Sequence, residues 1–504
     1  MSQNGRGGTP KRALAALAVS AIALLGAVGA TTPAFAAPEL GGIDPNASGS
    51  IIVHKHEHQT GTTPVTKNPD GSGADIPTPG IKDVTFTAYP LLKGGAAIDL
   101  NDPAAWDQLA DLTAGADCTA PSGYELGTPL APAVTGADGT ATIPTDVGVY
   151  VVCETDAPAQ VVDRAAPFIV TVPYPFEGTW LTDVHVYPKN GVTSVSKTIN
   201  AQQGLGLGST VEFPVTVKVP ALAAGRTFAS FDIADTLDAR LTPSPAANGI
   251  GVGIKSITVD GTPVTAANFG IAASGQTVTL SFTSAPGLDY LRSLAGKEIV
   301  VTFQATVTTL GTGVIENTAF DSVNGKKYTT NKVTTNWGDV VVKKVDAKSK
   351  ATLAGAKFEV YAASDPYAAD CTNATPTGSA LQVSGASEFT TGSTGQVTVP
   401  GLFVSDSEND TKNAAQRCYV LKETAAPAGY VTPTGAAALF PVAVKTGATA
   451  GVDVTVENVQ QKVPGLPLTG SAGALMLSVA GGALLIAAAG TGLIVSRRRT
   501  ARAE

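Results

Sequence analysis

The sequence predicts an all-β chain of three antiparallel sandwiches in tandem, and two observations carry that expectation. Short runs of Val, Ile, Tyr and Phe alternate with polar residues over strand lengths, and Gly/Pro/Asp clusters separate them. A set of landmarks also occurs twice in the same order, once in the first third of the chain and once in the last.

In chain order, Ser50 to Val53, Val84 to Tyr89, Val149 to Val152, Phe168 to Val172 and Val184 to Tyr187 read as strands. Asp102 to Leu112 is the helix expected among them, with Asn101 or Asp102 as cap and Pro103 in the first turn. A boundary near Asn190-Gly191 gives a first domain over 37–190. A second β-rich block fills 191–335, and a third starts at Trp337-Gly338 within 336–462. The repeat favours separate sandwiches of immunoglobulin-like type over one large barrel. Ile51-Ile52-Val53-His54-Lys55 matches Val340-Val341-Val342-Lys343-Lys344. Val149 to Pro158 matches Cys418 to Pro427, and Val184 to Asn190 matches Val452 to Asn458.

The two ends carry addresses. Arg6, Lys11 and Arg12, the apolar Ala13 to Ala30 and Ala34-Phe35-Ala36 form a secretory signal over 1–36. Over 463–504, Ala472 to Val495 is uncharged and long enough for a transmembrane helix, and Arg497, Arg498, Arg499 and Arg502 follow it. Of 33 basic and 41 acidic residues, seven basic and one acidic lie in these two ends. That leaves 26 against 40, a net charge of −14, for 37–469. Such acidity excludes nucleic acid as a partner. Four cysteines in an exported chain form disulfides; sequence order gives Cys118–Cys153 and Cys371–Cys418, although four cysteines allow three pairings.

Strand parity brings out the chemistry. Side chains alternate between faces, so Val340, Val342 and Lys344 share a face, as do Tyr419, Leu421 and Glu423, and Val452, Val454, Val456 and Asn458. The apolar partners mark the inward side, which aims a Lys, a Glu and an Asn into one core. Burial drives a lysine towards its neutral amine and a glutamate towards its neutral acid. One resolution of their burial is a Lys–Glu ion pair with a hydrogen-bonded Asn. The sharper one is that a neutral acid polarises the Asn carboxamide for attack by the amine, which expels ammonia and leaves a Lys–Asn isopeptide bond. The same parity groups Val195 with Lys197, Ile315 with Asn317, and Phe231 and Ile233 with Asp235; Asp232 falls on the opposite face. Lys55, Glu154 and Asn190 occupy the corresponding places in the first domain.

This constellation resembles the CnaB-type domains of Gram-positive pilins and adhesins. Tyr419 to Tyr430 looks like their E-box, which supplies the carboxylate. Ile233 to Leu237 and Glu316 to Ala319 resemble the CnaA-like middle domain of the same pilins, where an Asp replaces the Glu. The resemblance implies crosslinks Lys344–Asn458 promoted by Glu423 and Lys197–Asn317 promoted by Asp235. Related pilins differ on whether the first domain links Lys55 to Asn190 through Glu154, and the Gly-Tyr ending is absent after Ala157-Pro158.

Leu466-Pro467-Leu468-Thr469-Gly470 resembles the sorting signal of Gram-positive surface proteins, which sortase cuts between Thr and Gly. Trp180 to Lys189, with Val186-Tyr187-Pro188-Lys189 at its end, looks like the pilin motif whose lysine accepts the Thr of the next subunit. Lys189 has opposite parity to Val184, Val186 and Asn190 and so projects outward, and Pro188 suits the end of a strand. The whole mature chain is most similar to shaft pilins of actinomycete type. The resemblance implies as partners a pilus-specific sortase, identical subunits head to tail, tip and base pilins, and peptidoglycan or a housekeeping sortase. A host or bacterial receptor is a further expected partner, on a cell-wall surface reached after cleavage of the anchor. The alternative is a wall-anchored adhesin that is never polymerised.

No enzyme or cofactor is expected. Gly-x-Ser-x-Gly, a free Cys/His pair and a phosphate loop are all missing from the sequence, and Gly204 to Gly208 reads as a loop between strands. His54, His56 and His58 share one strand face, but with Lys55 inward they form a solvated stripe rather than a metal site.

Overall fold

The computed structural model describes residues 41–60, 64–246, 250–264 and 266–463. The secretory signal, the sorting residues Leu466 to Gly470 and the apolar anchor lie outside them. Among the described residues no helix is long and apolar enough to cross a membrane.

The chain folds into three successive immunoglobulin-like sandwiches. In the first, one sheet orders Asp183–Val186, Ser48–His54 and Thr140–Asp146, and the other is built on Phe168–Val172, Gly148–Asp156 and Thr85–Lys93. Ile51, Val53, Ile143 and Val184 pack against Phe86, Ala88, Val152 and Val170 between them. Val149, Val151 and Cys153 point the other way and are covered by Trp106 and Leu109 of the short helix Pro103–Leu109. Burial on both faces explains the unbroken apolar run in that strand. The helix begins as expected, with Asp102 accepting from the Ala104 N–H.

The first and last strands of this sandwich run parallel, with Val53 opposite Val186 and, further along, His56 opposite Lys189. The third sandwich repeats the device: Val333–Asp346 pairs in parallel with Val454–Asn458, placing Lys344 opposite Val456 and Asp346 opposite Asn458. Val452, whose parity points it inward, is 40% exposed because the strand begins only at Val454.

The middle sandwich sets Ser194–Lys197, Thr210–Lys218, Glu298–Val307 and Ile254–Val259 against Gly270–Ser274, Thr277–Phe282, Phe231–Thr236, Ala319–Val323 and Lys326–Thr329. Its junction with the third sandwich is a strand rather than a linker. Residues Val333 to Asn336 pair with Val314–Asn317, and from Thr335 onward the same strand pairs with Gln396–Asp406. A division at 335/336 therefore falls inside one strand. Trp337 is fully buried there, edge-on to Phe403. Gly338 lies so close to the Lys445 carbonyl oxygen that a Cβ would meet it at 1.8 Å. Leu207, in the loop expected between strands, packs on Gly401 and joins the middle and third sandwiches in one apolar core. By contrast, the first and middle sandwiches meet through polar groups. Glu57 pairs with Lys218, Asp163 with Arg226, and Lys326 donates to the Ala159 carbonyl.

Candidate functional site

Three buried clusters, one per sandwich, bring together a lysine, a carboxylate and an asparagine. In the third, alternation buries Lys344 behind Val340 and Val342, Glu423 behind Tyr419 and Leu421, and Asn458 behind Val456. Lys344 Nζ donates to Glu423 Oε2 at 3.0 Å, and Asn458 Nδ2 reaches the same oxygen at 3.3 Å. Burial pushes the Lys344 ammonium down and the Glu423 carboxyl up. Glu423 Oε1 and Asn458 Oδ1 are left without hydrogen-bond partners. A carboxylate and an amide stranded this way cost free energy, and a neutral acid facing a neutral amine lessens it.

In the middle sandwich Lys197 Nζ lies 2.5 Å from Asp235 Oδ2, which also accepts from Asn317 Nδ2 at 3.1 Å. Both charged side chains are completely buried, and the Phe213 ring walls the amine at 4.8 Å. Burial brings the lysine down to about 8 and raises the aspartate. Asp232, on the opposite face of the strand, is not in the cluster.

The first sandwich has the most complete hydrogen-bond set. Lys55 Nζ donates to Glu154 Oε2 at 2.8 Å and to Asn190 Oδ1 at 2.5 Å, while Asn190 Nδ2 donates to Glu154 Oε1 at 2.7 Å. The Ala165 N–H adds a further donor to Asn190 Oδ1 at 2.7 Å. Burial lowers Lys55 to about 8, against the opposing pull of Glu154. The missing Gly-Tyr ending does not prevent this gathering of groups.

Each cluster has the parts for an amide exchange. In such an exchange an amine would bond to a carboxamide carbon, that carbon's bond to nitrogen would break, and a carboxyl would carry the proton that lets ammonia leave. Cys118 and Cys153 form one disulfide and Cys371 and Cys418 the other, so the described residues contain no free thiol.

Lys189 follows the irregular Tyr187-Pro188 and opens the strand Lys189–Val192. It is partly exposed, and the burial it does have lowers its ammonium. Val186 pairs with Val53, and the Tyr187 ring stacks on His54. The histidine stripe departs from expectation. His54, His56 and His58 do face away from Lys55, yet all three are half-buried. His54 Nε2 lies 2.8 Å from His185 Nδ1, and His56 Nδ1 donates to the Thr78 carbonyl at 2.8 Å. The irregular segment 64–79 folds over them, with Pro69 accepting from the His185 N–H. Its Gly, Pro and Asp content gave no sign of what it covers. Among the described residues no group of three or more metal-ligating side chains forms.

Four family descriptions match the chain in succession. The Gram-positive pilin subunit D1 N-terminal domain matches residues 46–191, and the cell surface antigen I/II C2 terminal domain residues 188–337. A prealbumin-like fold domain matches 338–458, and the LPXTG cell wall anchor motif 458–501. The chain is similar to fimbrial subunit type 2 of Actinomyces naeslundii, at 36% identity over 93% of each chain. It is also similar to fimbrial subunit type 1 of Actinomyces viscosus, at 30% identity over 92% of this chain and 93% of that one. Among solved structures, the full-length major pilin SpaD from Corynebacterium diphtheriae superposes with a TM-score of 0.64 at 25% identity, covering 84% of this chain and 99% of that one. The fimbrial protein FimP shares the fold, at a TM-score of 0.51 and 22% identity over 83% of this chain and 99% of that one. With sandwiches, anchor motif and fimbrial relatives in agreement along nearly its full length, the chain belongs to the Gram-positive sortase-assembled major pilins.

Proposed function

We propose that this protein is the repeating shaft subunit of a covalent, wall-anchored fimbria. A pilus-specific sortase cuts after Thr469 and joins its carbonyl to Lys189 of the next identical subunit. One donor and one acceptor at distant points of the chain give a head-to-tail contact that does not close, and so a filament. Tip and base pilins, a housekeeping sortase acting at the peptidoglycan and a surface receptor complete the expected partners. The subunit itself is structural, and no cofactor enters either bond-forming step.

Inside each subunit, Lys344–Asn458, Lys197–Asn317 and Lys55–Asn190 fuse spontaneously, promoted by Glu423, Asp235 and Glu154. The observation that carries the reading is the contrast among the lysines. Lys55, Lys197 and Lys344 are at most 1% exposed and each meets a carboxylate, whereas Lys189 is partly exposed. Boiled wall extracts are expected to show a ladder of very large species that Lys189→Ala abolishes. A single band unchanged by that substitution would instead mark a monomeric adhesin.

A further inference from the structure

The outward face around Lys189 carries groups that the joining reaction has not yet used. His56 lies directly opposite Lys189 across the parallel pair, and the His58 N–H donates to the Asn190 carbonyl at 2.9 Å, which puts His58 opposite Gly191. On the other side of the same strand, Asp163 pairs with Gly191. Gly191 has no side chain, so His58 and Asp163 approach each other across it, with Nε2 3.7 Å from Oδ2. A Cβ on Gly191 would meet the Asp163 Cβ at 3.0 Å and the Ala221 carbonyl oxygen at 2.7 Å. The carboxylate is anchored: it accepts from the Ala223 N–H at 2.7 Å, lies 3.4 Å from Arg226 Nε and is 3% exposed. His58 Nε2 is buried without a hydrogen-bond partner.

The groups facing His58 are Asp163 from the strand Val161–Asp163, Arg226 from the loop beyond Lys218, Lys55 from beneath and Lys189 alongside. Burial, with the three cations added, holds the imidazole below its usual range against the pull of Asp163, so it is neutral near pH 7. The acceptor lysine therefore has beside it an uncharged imidazole with a carboxylate 3.7 Å from its Nε2. No hydrogen bond joins the two, but the carboxylate is close enough to favour the imidazolium that forms on taking a proton. His56 lacks such backing, since its Nδ1–H is used on the Thr78 carbonyl.

We propose that His58, held beside Asp163 across the bare backbone of Gly191, takes a proton from the Lys189 ammonium and so frees the lone pair with which that amine attacks the acyl group carried on the sortase. The Nζ–carbonyl carbon bond forms, and the bond from that carbon to the enzyme breaks with its electron pair leaving on the enzyme. Of the two protons that Nζ loses, one passes through His58 to water and the other goes to the leaving group. Asp163 is a positioning residue here, and the subunit supplies part of the chemistry of its own polymerisation.

The inference rests on Lys189 being the acceptor, and the test separates the two. Donor subunits carrying Lys189→Ala are mixed with acceptor subunits that lack the sorting signal. The initial rate of amide formation by the pilus sortase is then followed from about pH 6 to about pH 9. His58→Gln in the acceptor is expected to lower the rate roughly a hundredfold near neutrality and to move the rise of rate to higher pH. Asp163→Asn is expected to give a smaller loss in the same direction, and His56→Gln a profile like wild type. The same His58→Gln placed in the donor is expected to leave the rate unchanged. A wild-type acceptor profile for His58→Gln overturns the proposal. So does a slowed rate with an unshifted profile and a lowered melting temperature, which would mark a structural role. Joining that persists when the acceptor also carries Lys189→Ala would overturn the assignment of Lys189 itself.

Discussion

Lys189 and Asn190 are consecutive in one strand and leave it on opposite faces: Asn190 is fully buried against Lys55 and Glu154, while Lys189 stays partly exposed. In the proposed linkage, tension entering a subunit at Lys189 would pass directly to Asn190 and onward, without crossing the sandwich over 37–188. It would then run from Lys197 through the bond to Asn317, along the shared strand Val333–Asp346 and through Lys344 to Asn458.

Single-molecule pulling between Lys189 and Thr469 is therefore expected to extend wild-type subunits very little. Lys197→Ala should release the whole stretch between Lys197 and Asn317 as a new unfolding step. Lys55→Ala should add no step, although it lowers the melting temperature of the first sandwich. A new step on Lys55→Ala would show that the first sandwich bears load.

Glu423→Gln keeps the shape of the third cluster but removes the group that moves the proton. The third sandwich should then retain its ammonia by intact mass, with Lys344 buried beside an amide. Removing one partner of a buried pair costs about 3–5 kcal/mol, so its melting temperature should fall markedly. Loss of ammonia at the wild-type rate would remove Glu423 from the reaction.

An amide does not titrate, and this gives the first cluster a pH signature. In Asn190→Ala, Lys55 has no partner to join and stays a buried amine whose pKa of about 8 lies below its ordinary 10.5. Between those values the unfolded chain binds more protons than the folded one, so stability rises as pH climbs through that window. Thermal melts of Asn190→Ala should shift upward from pH 8 towards pH 10.5, whereas the linked wild type lacks this contribution. A flat profile for the variant would show that Lys55 is not held neutral by burial.

Much of this was legible from alternation alone. Regular strands carry parity faithfully, so alternation puts Lys344, Glu423 and Asn458, and likewise Lys197, Asp235 and Asn317, on inward faces, where all six are buried. Legibility failed where the chain leaves regular strand. Nothing in the composition of 64–79 announces that it folds over His56 and His185, and Asp163 meets His58 only because Gly191 between them has no side chain. The strand Val333–Asp346 shows a different limit. The sequence marks a boundary beside Thr335, but not that one strand carries the chain through it, with register shifts at Asn336/Trp337 and Gly338/Val340 in place of a linker.

The most direct measurement is the intact mass of the soluble fragment 37–469 under denaturing conditions. With all three clusters fused, the mass falls below that of the disulfide-bonded sequence by three ammonias. Lys55→Ala, Lys197→Ala and Lys344→Ala each give one of them back. A mass equal to the disulfide-bonded sequence, with every ammonia retained, would contradict the account.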